Sequence, residues 1–232
     1  MELTDRQQEI LALVAQRHFA SVREIADSLF TSGATVRREI KKLESKGILK
    51  SVYGGVVLTE YQKTPVPIYL RDSENSASKE KIAQEAAKLI TDNQTILLDS
   101  SSTVRRICRH ITKRKNLTVI TNNLRVCEEL KNSDVKVICT GGSLIPKREC
   151  FVGHFTEEFI KKVKADILFF SSQGLSNNGD ITDSSEEEIA LRKVMFASAK
   201  QQVFLCDSSK IGKDFPFTLC NSAEVSQIIF DE

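Results

Sequence analysis

One short segment near the N-terminus carries a larger net positive charge than the whole chain. Residues 32–50 read SGATVRREIKKLESKGILK, in which Val36, Ile40 and Leu43 recur at helical spacing and would share one face of a helix. Between residues 33 and 53, six lysines and arginines stand against two glutamates, whereas the whole chain has a net charge of only +2. Positive charge gathered on one short amphipathic element is the usual arrangement for contacting phosphates.

Two shorter helical patterns precede the basic helix. Thr4 and Ser21 are suitable N-cap residues, and apolar side chains repeat behind each of them at helical spacing. A short turn at 30–33 leads into the basic helix, and Gly47 is placed to end it. Residues 53–55 then separate two apolar runs, which predicts a hairpin whose glycines supply the positive φ of a tight turn. This order of elements predicts a winged helix-turn-helix over residues 1–58.

The winged helix-turn-helix predicts a DNA surface, because the second helix of the motif lies in the major groove with its N-terminal residues nearest the base edges. We expect base-edge or flanking phosphate contacts from Thr35, Arg37 and Arg38, and phosphate contacts from the later lysines. The predicted DNA-binding residues are Ser32, Thr35, Arg37, Arg38, Lys41, Lys42, Lys46, Lys50 and, at the wing tip, Tyr53. The alternative is an ordinary solvated helix face, on which Glu39 and Glu44 pair with their basic neighbours.

The chain has 232 residues, enough for this small domain, a polar linker at 59–77 and a medium domain at 78–232. Its 41% apolar and 28% charged residues predict a soluble protein, and we expect a cytoplasmic one without a signal peptide or a membrane partner. None of the six cysteines forms a C-x-x-C pair, and the three histidines are widely spaced. We therefore predict buried reduced thiols, no metal site and no cofactor.

Apolar runs and helical patterns alternate in the second domain. The runs fall at 95–99, 118–121, 135–140, 166–172, 202–207 and 226–230, with helical patterns between most of them, clearest at 104–112, 124–130, 156–162 and 187–199. Continuous apolar strands separated by helices predict an α/β fold, with a mostly parallel sheet that is covered on both faces.

The predicted strands are followed by loops of one chemical character. Small hydroxyl and amide side chains and glycines dominate them, and ligands of open parallel sheets bind beyond the carboxyl ends of the strands. Residues 100–103 precede a helix and offer hydroxyls and free N–H groups to a phosphate. Each loop alone is explained by helix capping, but together they predict a polar ligand pocket. Its predicted residues are Asp99, Ser100, Ser101, Ser102, Thr103, Asn122, Asn123, Gly141, Gly142, Gln173, Gly174 and Lys210, with Asp207 as a further acceptor.

The acidic run at 184–188 reads mainly as a helix start. Ser185 and Glu188 have the spacing of a capping box, and Glu188 and Arg192 form an i, i+4 pair. The alternative, which we disfavour, places Glu187 or Lys193 in the pocket. We interpret the histidines as helix-end, surface or internally satisfied residues, so no catalytic residue is predicted.

Several motifs resemble the DeoR family of bacterial transcription regulators. They are TVRREIKKLE and GILKSVYGGVVL in the first domain, and LDSSSTV, VITNN, TGGSL, FVG and FLCDSSKIG in the second. The resemblance implies a repressor of a carbohydrate operon that a phosphorylated sugar releases, and a sensor fold related to ribose-phosphate isomerase and coenzyme A transferases. It also implies that the effector site is lined by Asp99, Ser100, Ser102, Thr103, Asn122, Gly141, Gly142 and Lys210.

This chain departs from the family pattern at the implied effector site. Ser101 stands where the family usually has glycine, residues 171–174 read SSQG in place of a GADG-like segment, and the glycine-threonine segment reads GDITD at 179–183. These changes predict an effector that differs from the common ones.

Two other classes of function compete with a ligand-controlled repressor. An enzyme, either a sugar-phosphate isomerase or an acyl transferase with a DNA-binding appendage, would need a positioned general base, for which only Asp99, Glu187 and Asp207 offer themselves. A sensor whose N-terminal module binds protein is the other. A repressor would bind double-stranded operator DNA as a homodimer or homotetramer, with residues 59–77 as the suspected link between effector and DNA.

Overall fold

The computed structural model of the chain describes residues 3–17, 19–46, 48–52, 55–58, 71–72 and 75–231. Packing divides the chain into two units, Met1–Val66 and Pro67–Glu232. His18, Gly47, Tyr53 and most of the predicted linker lie outside the described residues. The helix that opens the second unit begins at Ser76, within the stretch predicted as linker.

The first unit is the predicted winged helix-turn-helix. Helices α1 (Asp5–Arg17), α2 (Val22–Ser28) and α3 (Gly33–Ser45) are followed by an antiparallel hairpin of β1 (Leu49–Val52) and β2 (Gly55–Leu58). The side chain of Thr4 accepts a hydrogen bond from the backbone of Gln7, and Ser21 and Glu24 form a complete capping box. The buried core contains Ile10, Val14, Ile25, Val36, Ile40, Leu43, Leu49 and Val56, so the predicted helix faces are confirmed.

The role predicted for Gly55, a positive φ in the hairpin turn, is wrong. This glycine is not part of the turn, because it pairs with Val52 as a strand residue, and it is not among the described glycines with positive φ. Its value is the space that it leaves. A Cβ at this position would lie 2.3 Å from the carbonyl oxygen of Ala20 and 2.7 Å from the ring of Phe19. Glycine therefore lets the hairpin approach the segment before α2, where Ala20 exchanges two backbone hydrogen bonds with Val56.

The second unit is built on one parallel sheet. Its strands are β3 (Thr95–Leu98), β4 (Thr118–Thr121), β5 (Lys136–Cys139), β8 (Ala165–Phe170), β11 (Ala199–Leu205) and β13 (Gln227–Ile229). They lie in the order β13-β11-β8-β3-β4-β5, and each neighbouring pair is parallel. The predicted mostly parallel sheet is confirmed, and alternate residues of β3 enter two different cores on its two faces.

Helices cover both faces of this sheet. They are α4 (Ser76–Lys88), α5 (Ser102–Arg105), α6 (Cys108–Ile111), α7 (Leu124–Leu130), α8 (His154–Ile160) and α9 (Glu186–Ala197). The single helix predicted at 104–112 is wrong, because the chain there forms the two short helices α5 and α6. The apolar side chains of both helices pack into the same core, which is why the sequence pattern resembles that of one continuous helix.

Five short strands were not predicted. The hairpin of β6 (Ser143–Ile145) and β7 (Cys150–Val152) follows β5, and β9 (Gly174–Leu175), β10 (Asp180–Asp183) and β12 (Phe217–Asn221) form a small antiparallel sheet. The prediction of buried thiols is confirmed for three of the six cysteines and is wrong for Cys139. Cys108, Cys150 and Cys206 are buried, but Cys139 is exposed because β5 is an edge strand.

Candidate functional site

The N-terminus of α3 is fixed by its own side chains. Ser32 is the N-cap, and its hydroxyl lies 3.1 Å from the backbone nitrogen and 2.9 Å from the hydroxyl of Thr35. Val36, Ile40 and Leu43 are buried beneath the helix. This anchoring leaves Arg37, Arg38, Lys41 and Lys42 exposed on the opposite face, as the sequence predicts.

The two glutamates of α3 do not lie on an ordinary solvated face. Glu39 is buried, with an oxygen 2.9 Å from Lys42 Nζ, the other 2.9 Å from Gln7 Nε2, and Arg38 at 3.6 Å. The hydrogen bonds from Lys42 and Gln7 hold the pKa of Glu39 below its usual value. Glu44 accepts a hydrogen bond from the backbone of Ser51 and so ties α3 to the hairpin. Glu39 thus pairs with its basic neighbours Lys42 and Arg38, as the alternative predicts, but it does so as a buried residue, and Glu44 bonds to the hairpin.

The remaining predicted DNA contacts have different settings. Lys50 is exposed on β1, while Lys46 is only partly exposed and donates to Gln7 Oε1 at 3.2 Å. The wing-tip residue Tyr53 lies outside the described residues. The positive surface that the structure describes is thus α3 together with the first strand of the hairpin.

The carboxyl ends of the parallel strands bring the predicted effector loops into one row. Sheet order places the loop after β8, at residues 171–174, beside the loop after β3, at 99–103. The loop at 207–210 lies on one side of this pair, and the loops at 122–123 and 141–142 follow on the other. Strand order reverses between β3 and β8, which is the switch point at which open α/β sheets bind ligands.

The loop after β3 is more internally bonded than predicted. Ser101 caps α5 by accepting from the backbone nitrogen of Val104, and its own N–H donates to Asp99. Ser100 donates to Glu188 at 2.8 Å. The prediction of free N–H groups at 100–103 is therefore wrong for Ser101. The serine that replaces the family glycine has an ordinary extended φ of −76° and serves as a helix cap.

The loops after β4 and β5 are held by neighbouring elements. Asn123 caps α7 through Arg125, and Asn122 donates to the carbonyl of Phe151 at 2.9 Å. Gly141 and Gly142 both have positive φ. A Cβ on Gly142 would lie 2.1 Å from Thr156 Oγ1, so this glycine serves close packing of α8 against the loop.

On the other side of the switch point, a lysine and a serine link two loops. Lys210 Nζ lies 2.6 Å from Ser171 Oγ and 3.4 Å from Asp207 Oδ2. Burial lowers the pKa of Lys210, whereas Asp207 opposes that change. Gln173 is partly exposed, and Gly174 allows the backbone of Lys213 to approach, since a Cβ there would lie 2.4 Å from the Lys213 carbonyl oxygen.

A buried charge network beneath these loops was missed by the sequence analysis. Arg192 reaches Asp99 at 2.9 Å, Asp183 at 2.8 Å and Glu188 at 3.5 Å. Arg148, from the β6–β7 turn, contacts Glu188 and lies 4.0 Å from Asp183. All five side chains are at most 3% exposed.

This network corrects two predictions, those for Asp99 and for the capping box. Asp99 is occupied by Arg192 and by backbone donors, so it is not free to accept from a ligand hydroxyl. Ser185 does cap α9, but Glu188 turns into the network and does not complete a capping box. Glu187 and Lys193, the disfavoured pocket residues, are exposed. The i, i+4 spacing of Glu188 and Arg192 was the one local signal of this network.

The arginines of the network favour the charged form of Asp183 despite its burial. Burial would raise the pKa of Asp183, but Arg192, Arg71 and Arg148 outweigh it and keep that pKa below its usual value. Burial and the charge of Arg71 lower the pKa of Arg148 to about 10. Arg71 therefore adds a further positive charge close to these groups.

Three predicted effector residues have buried polar atoms with no hydrogen-bond partner among the described residues. They are the hydroxyl of Thr103, the amide oxygen of Asn122 and the amide nitrogen of Asn123. Each residue is at most 2% exposed. An unmade buried hydrogen bond costs about 1–3 kcal/mol, so such atoms need an explanation. The three residues lie in the loops that follow the neighbouring parallel strands β3 and β4.

Other functional groups are sparse in the part of the chain that the structure describes. No cluster of histidine, cysteine and acidic side chains there could hold a metal ion. His110 pairs with Glu80 at 2.7 Å and His154 is exposed, as predicted for both. Within the described residues, no helix is long and apolar enough to cross a membrane.

Curated relatives align over nearly the whole chain. The transcriptional regulator GolR of Listeria innocua is 32% identical, covering 98% of this chain and 90% of that protein. The L-fucose operon activator of Haemophilus influenzae is 33% identical, covering 97% and 91%. The lactose phosphotransferase system repressor of Staphylococcus epidermidis is 32% identical, covering 100% and 93%.

Comparison with solved structures and family models gives the remaining findings. Ribose 5-phosphate isomerase from Methanocaldococcus jannaschii is similar over 60% of this chain and 55% of that chain, with 18% identity and a TM-score of 0.45, which carries no conclusion about activity. The family model of the DeoR-like helix-turn-helix domain matches residues 6–62, and that of the DeoR C-terminal sensor domain matches residues 74–232. The chain therefore belongs to the DeoR family of helix-turn-helix transcriptional regulators.

Proposed function

We propose that this regulator represses a carbohydrate uptake or catabolism operon and is released by a phosphorylated sugar bound at the carboxyl edge of the parallel sheet. Two of the relatives above carry sugar operons or sugar transport systems in their names, one as activator and one as repressor. The observation that carries the effector proposal is the group of buried, unpartnered polar atoms on Thr103, Asn122 and Asn123, in the loops that follow the neighbouring strands β3 and β4.

The proposed effector site combines these polar atoms with a buried cation. Hydroxyl and amide groups can bond sugar hydroxyls as donors and acceptors, and Lys210 supplies positive charge for a phosphate. Asp99 and Ser101 shape the site, since their own polar groups are occupied by Arg192 and Val104. The proposed ligand contacts are Ser100, Ser102, Thr103, Asn122, Asn123, Gly141, Gly142, Gln173, Gly174 and Lys210.

The effector proposal is tested by titrating DNA from upstream of the gene and its neighbouring operon with sugar phosphates in the presence of the protein. We expect one of them to lower DNA affinity. Lys210→Met should then weaken the response to that sugar phosphate by about tenfold or more, because a charge-assisted hydrogen bond is lost. Lys213→Met, which removes an exposed lysine from the same loop region, is the matched control. An equal response from both variants would remove Lys210 from the site.

We propose that α3 and the hairpin form the DNA surface, with Thr35, Arg37 and Arg38 nearest the base edges. Ser32, Lys41, Lys42, Lys46, Lys50 and Tyr53 complete the proposed surface. Lys41→Gln should lower DNA affinity and reduce the slope of log affinity against log salt by about one, since one of the proposed phosphate contacts is lost. Lys162→Gln makes the same charge change at an exposed site in the second unit and should leave the slope unchanged. A flat salt response of the unmodified protein would favour a protein partner for this module.

We also propose that the chain is not an enzyme and acts as a homodimer or homotetramer on an operator with related half-sites. The curated relatives above are named as regulators, and Asp99, a nominal base, is bound by Arg192. Turnover of ribose 5-phosphate that is abolished by Glu187→Gln would revive the enzymatic alternative. The proposed cytoplasmic location follows from the proposed binding to bacterial operator DNA.

A further inference from the structure

The chain enters the second unit through a short segment that is bonded to the effector loops. This connecting segment consists of the described residues Arg71, Asp72 and Asn75, directly before α4. The carbonyl of Arg71 lies 3.5 Å from the hydroxyl of Ser102. The carboxylate of Asp72 lies 2.8 Å from Arg105, and its carbonyl accepts from Arg106 at 2.7 Å. Arg71 and Asp72 are thus bonded to α5 and its C-cap Arg106, and the first residue of α5, Ser102, is one of the residues proposed to contact the effector.

Asn75 fastens the same segment to a second effector loop. It is the N-cap residue of α4, where an asparagine side chain would ordinarily accept from the first turn of the helix, yet it makes no side-chain cap. Its amide nitrogen donates instead to Asp207 at 3.3 Å and to Ser209 at 2.9 Å. Its backbone is left-handed, with φ of 50°, which is a costly conformation held by its surroundings.

Asp207 contacts both Asn75 and Lys210, the residue proposed to bind the phosphate. Its Oδ2 lies 3.4 Å from Lys210 Nζ, and its Oδ1 accepts from both Ser209 and Asn75. A phosphate bound at Lys210 would compete with Asp207 for the ammonium group and repel the carboxylate. Any shift of Asp207 changes the acceptor on which Asn75 depends.

We infer that Asn75 and Asp72 are positioning residues, through which an anion bound at the loops at 99–103 and 207–210 changes the affinity of the N-terminal domain for DNA. The inference rests on the proposed function. Its physical basis is that the bound anion and the connecting segment use the same two loops, so the anion has a different affinity for the fastened and the released segment. Such differential affinity is what a coupled pair of sites requires.

The coupling ratio is the quantity to measure. It is the Kd for operator DNA with a saturating probe divided by the Kd without it, determined on the full chain by fluorescence anisotropy with ribose 5-phosphate, glucose 6-phosphate and glycerol 3-phosphate as probes. Calorimetry gives the affinity of each probe for the protein alone. Asn75→Gly removes the two side-chain bonds while glycine keeps the left-handed backbone without strain. We expect the probe to bind this variant within about threefold of wild type, and the coupling ratio to fall by about fivefold or more.

Asn93→Gly is the matched control, because Asn93 is also left-handed, with φ of 67°, and loses one exposed side-chain bond to Asn116. Its coupling ratio should equal that of wild type, which separates coupling from general destabilisation. If Asn75→Gly does not fold, Asp72→Asn, which weakens the pair with Arg105, serves in its place with the same expectation.

The outcomes separate this inference from the proposed function. A probe that binds and shifts the DNA affinity of wild type and of Asn75→Gly alike overturns the inference and leaves the proposed function standing. If no probe binds the wild-type chain in calorimetry, the proposed phosphate site fails and the inference falls with it.

Discussion

Removing Arg192 should destabilise the sensor domain more than removing any surface cation. Arg192→Met leaves Asp99, Asp183 and Glu188 buried with Arg148 as the neighbouring cation of the network. Breaking a buried ion pair by deleting one partner costs about 3–5 kcal/mol. For a domain of this size, 1 kcal/mol corresponds to about 2–4 °C, so the unfolding temperature should fall by about 6–20 °C.

The pH dependence of this variant has a defined sign. In the unmodified chain the pKa of Asp183 is lowered, so its contribution to stability is present above the unfolded pKa and is lost as pH falls through the folded value. Without Arg192, whose charge lowers it more than any other, the folded-state pKa of this carboxyl rises. The folded variant then takes up protons at a higher pH than the folded unmodified chain, so acidification from neutral pH narrows the difference in the free energy of unfolding between the two.

Thermal unfolding followed by circular dichroism at several pH values tests both parts. Arg109→Met is the control, since that side chain is 56% exposed and should cost less than about 0.5 kcal/mol. The reasoning about this network would be refuted if Arg192→Met lowered the free energy of unfolding by less than about 1 kcal/mol at neutral pH. It would also be refuted if the difference in that free energy between the variant and the unmodified chain did not narrow on acidification.

Two further predictions concern packing. Gly55→Ala should lower the free energy of unfolding of the N-terminal domain in urea by about 1–3 kcal/mol, because the new methyl group overlaps the Ala20 carbonyl. Gly33→Ala is the control and should not destabilise the domain, since the nearest neighbour of its new methyl group lies 3.6 Å away; equal stability of the two variants would contradict the packing argument. When the native chain is alkylated and its peptides are analysed by mass spectrometry, Cys139 should react first and Cys206 only on unfolding, since burial raises the pKa of Cys206 to about 11. Similar reaction rates of the two thiols would show that the chain opens readily around Cys206.

The N-terminal domain was predictable because its signals are local. Thr4, Ser21 and the spacing of Val36, Ile40 and Leu43 each act within one or two turns of the same helix. The role of Gly55 was predicted wrongly because Phe19 and Ala20, which require a glycine here, are distant in sequence and contact β2 only in the folded domain. Periodicity thus gave the elements but not the contact that positions the wing.

The sensor domain shows where such signals stop. Apolar runs predicted the parallel sheet, since every residue of a strand covered on both faces tends to be apolar. The charge network was not predicted, because Asp99, Arg148, Asp183 and Arg192 come from separate elements and carry no shared spacing. A buried arginine has the same letter as an exposed one, so only the folded chain distinguishes the buried Arg148 from the exposed Arg109.

The strand order of the sheet also governs how this domain is made. Ile96 of β3 pairs with Ile167 of β8, 71 positions later. At a synthesis rate of about 5–20 residues per second, β3 waits about 4–14 s before its second neighbour has been translated. Pairing over such a distance is slow because loop closure precedes any gain from contact. The apolar residues Ile96–Leu98 are open to wrong partners during that interval, whereas the helical N-terminal domain, translated first and stabilised by near contacts, can already be folded.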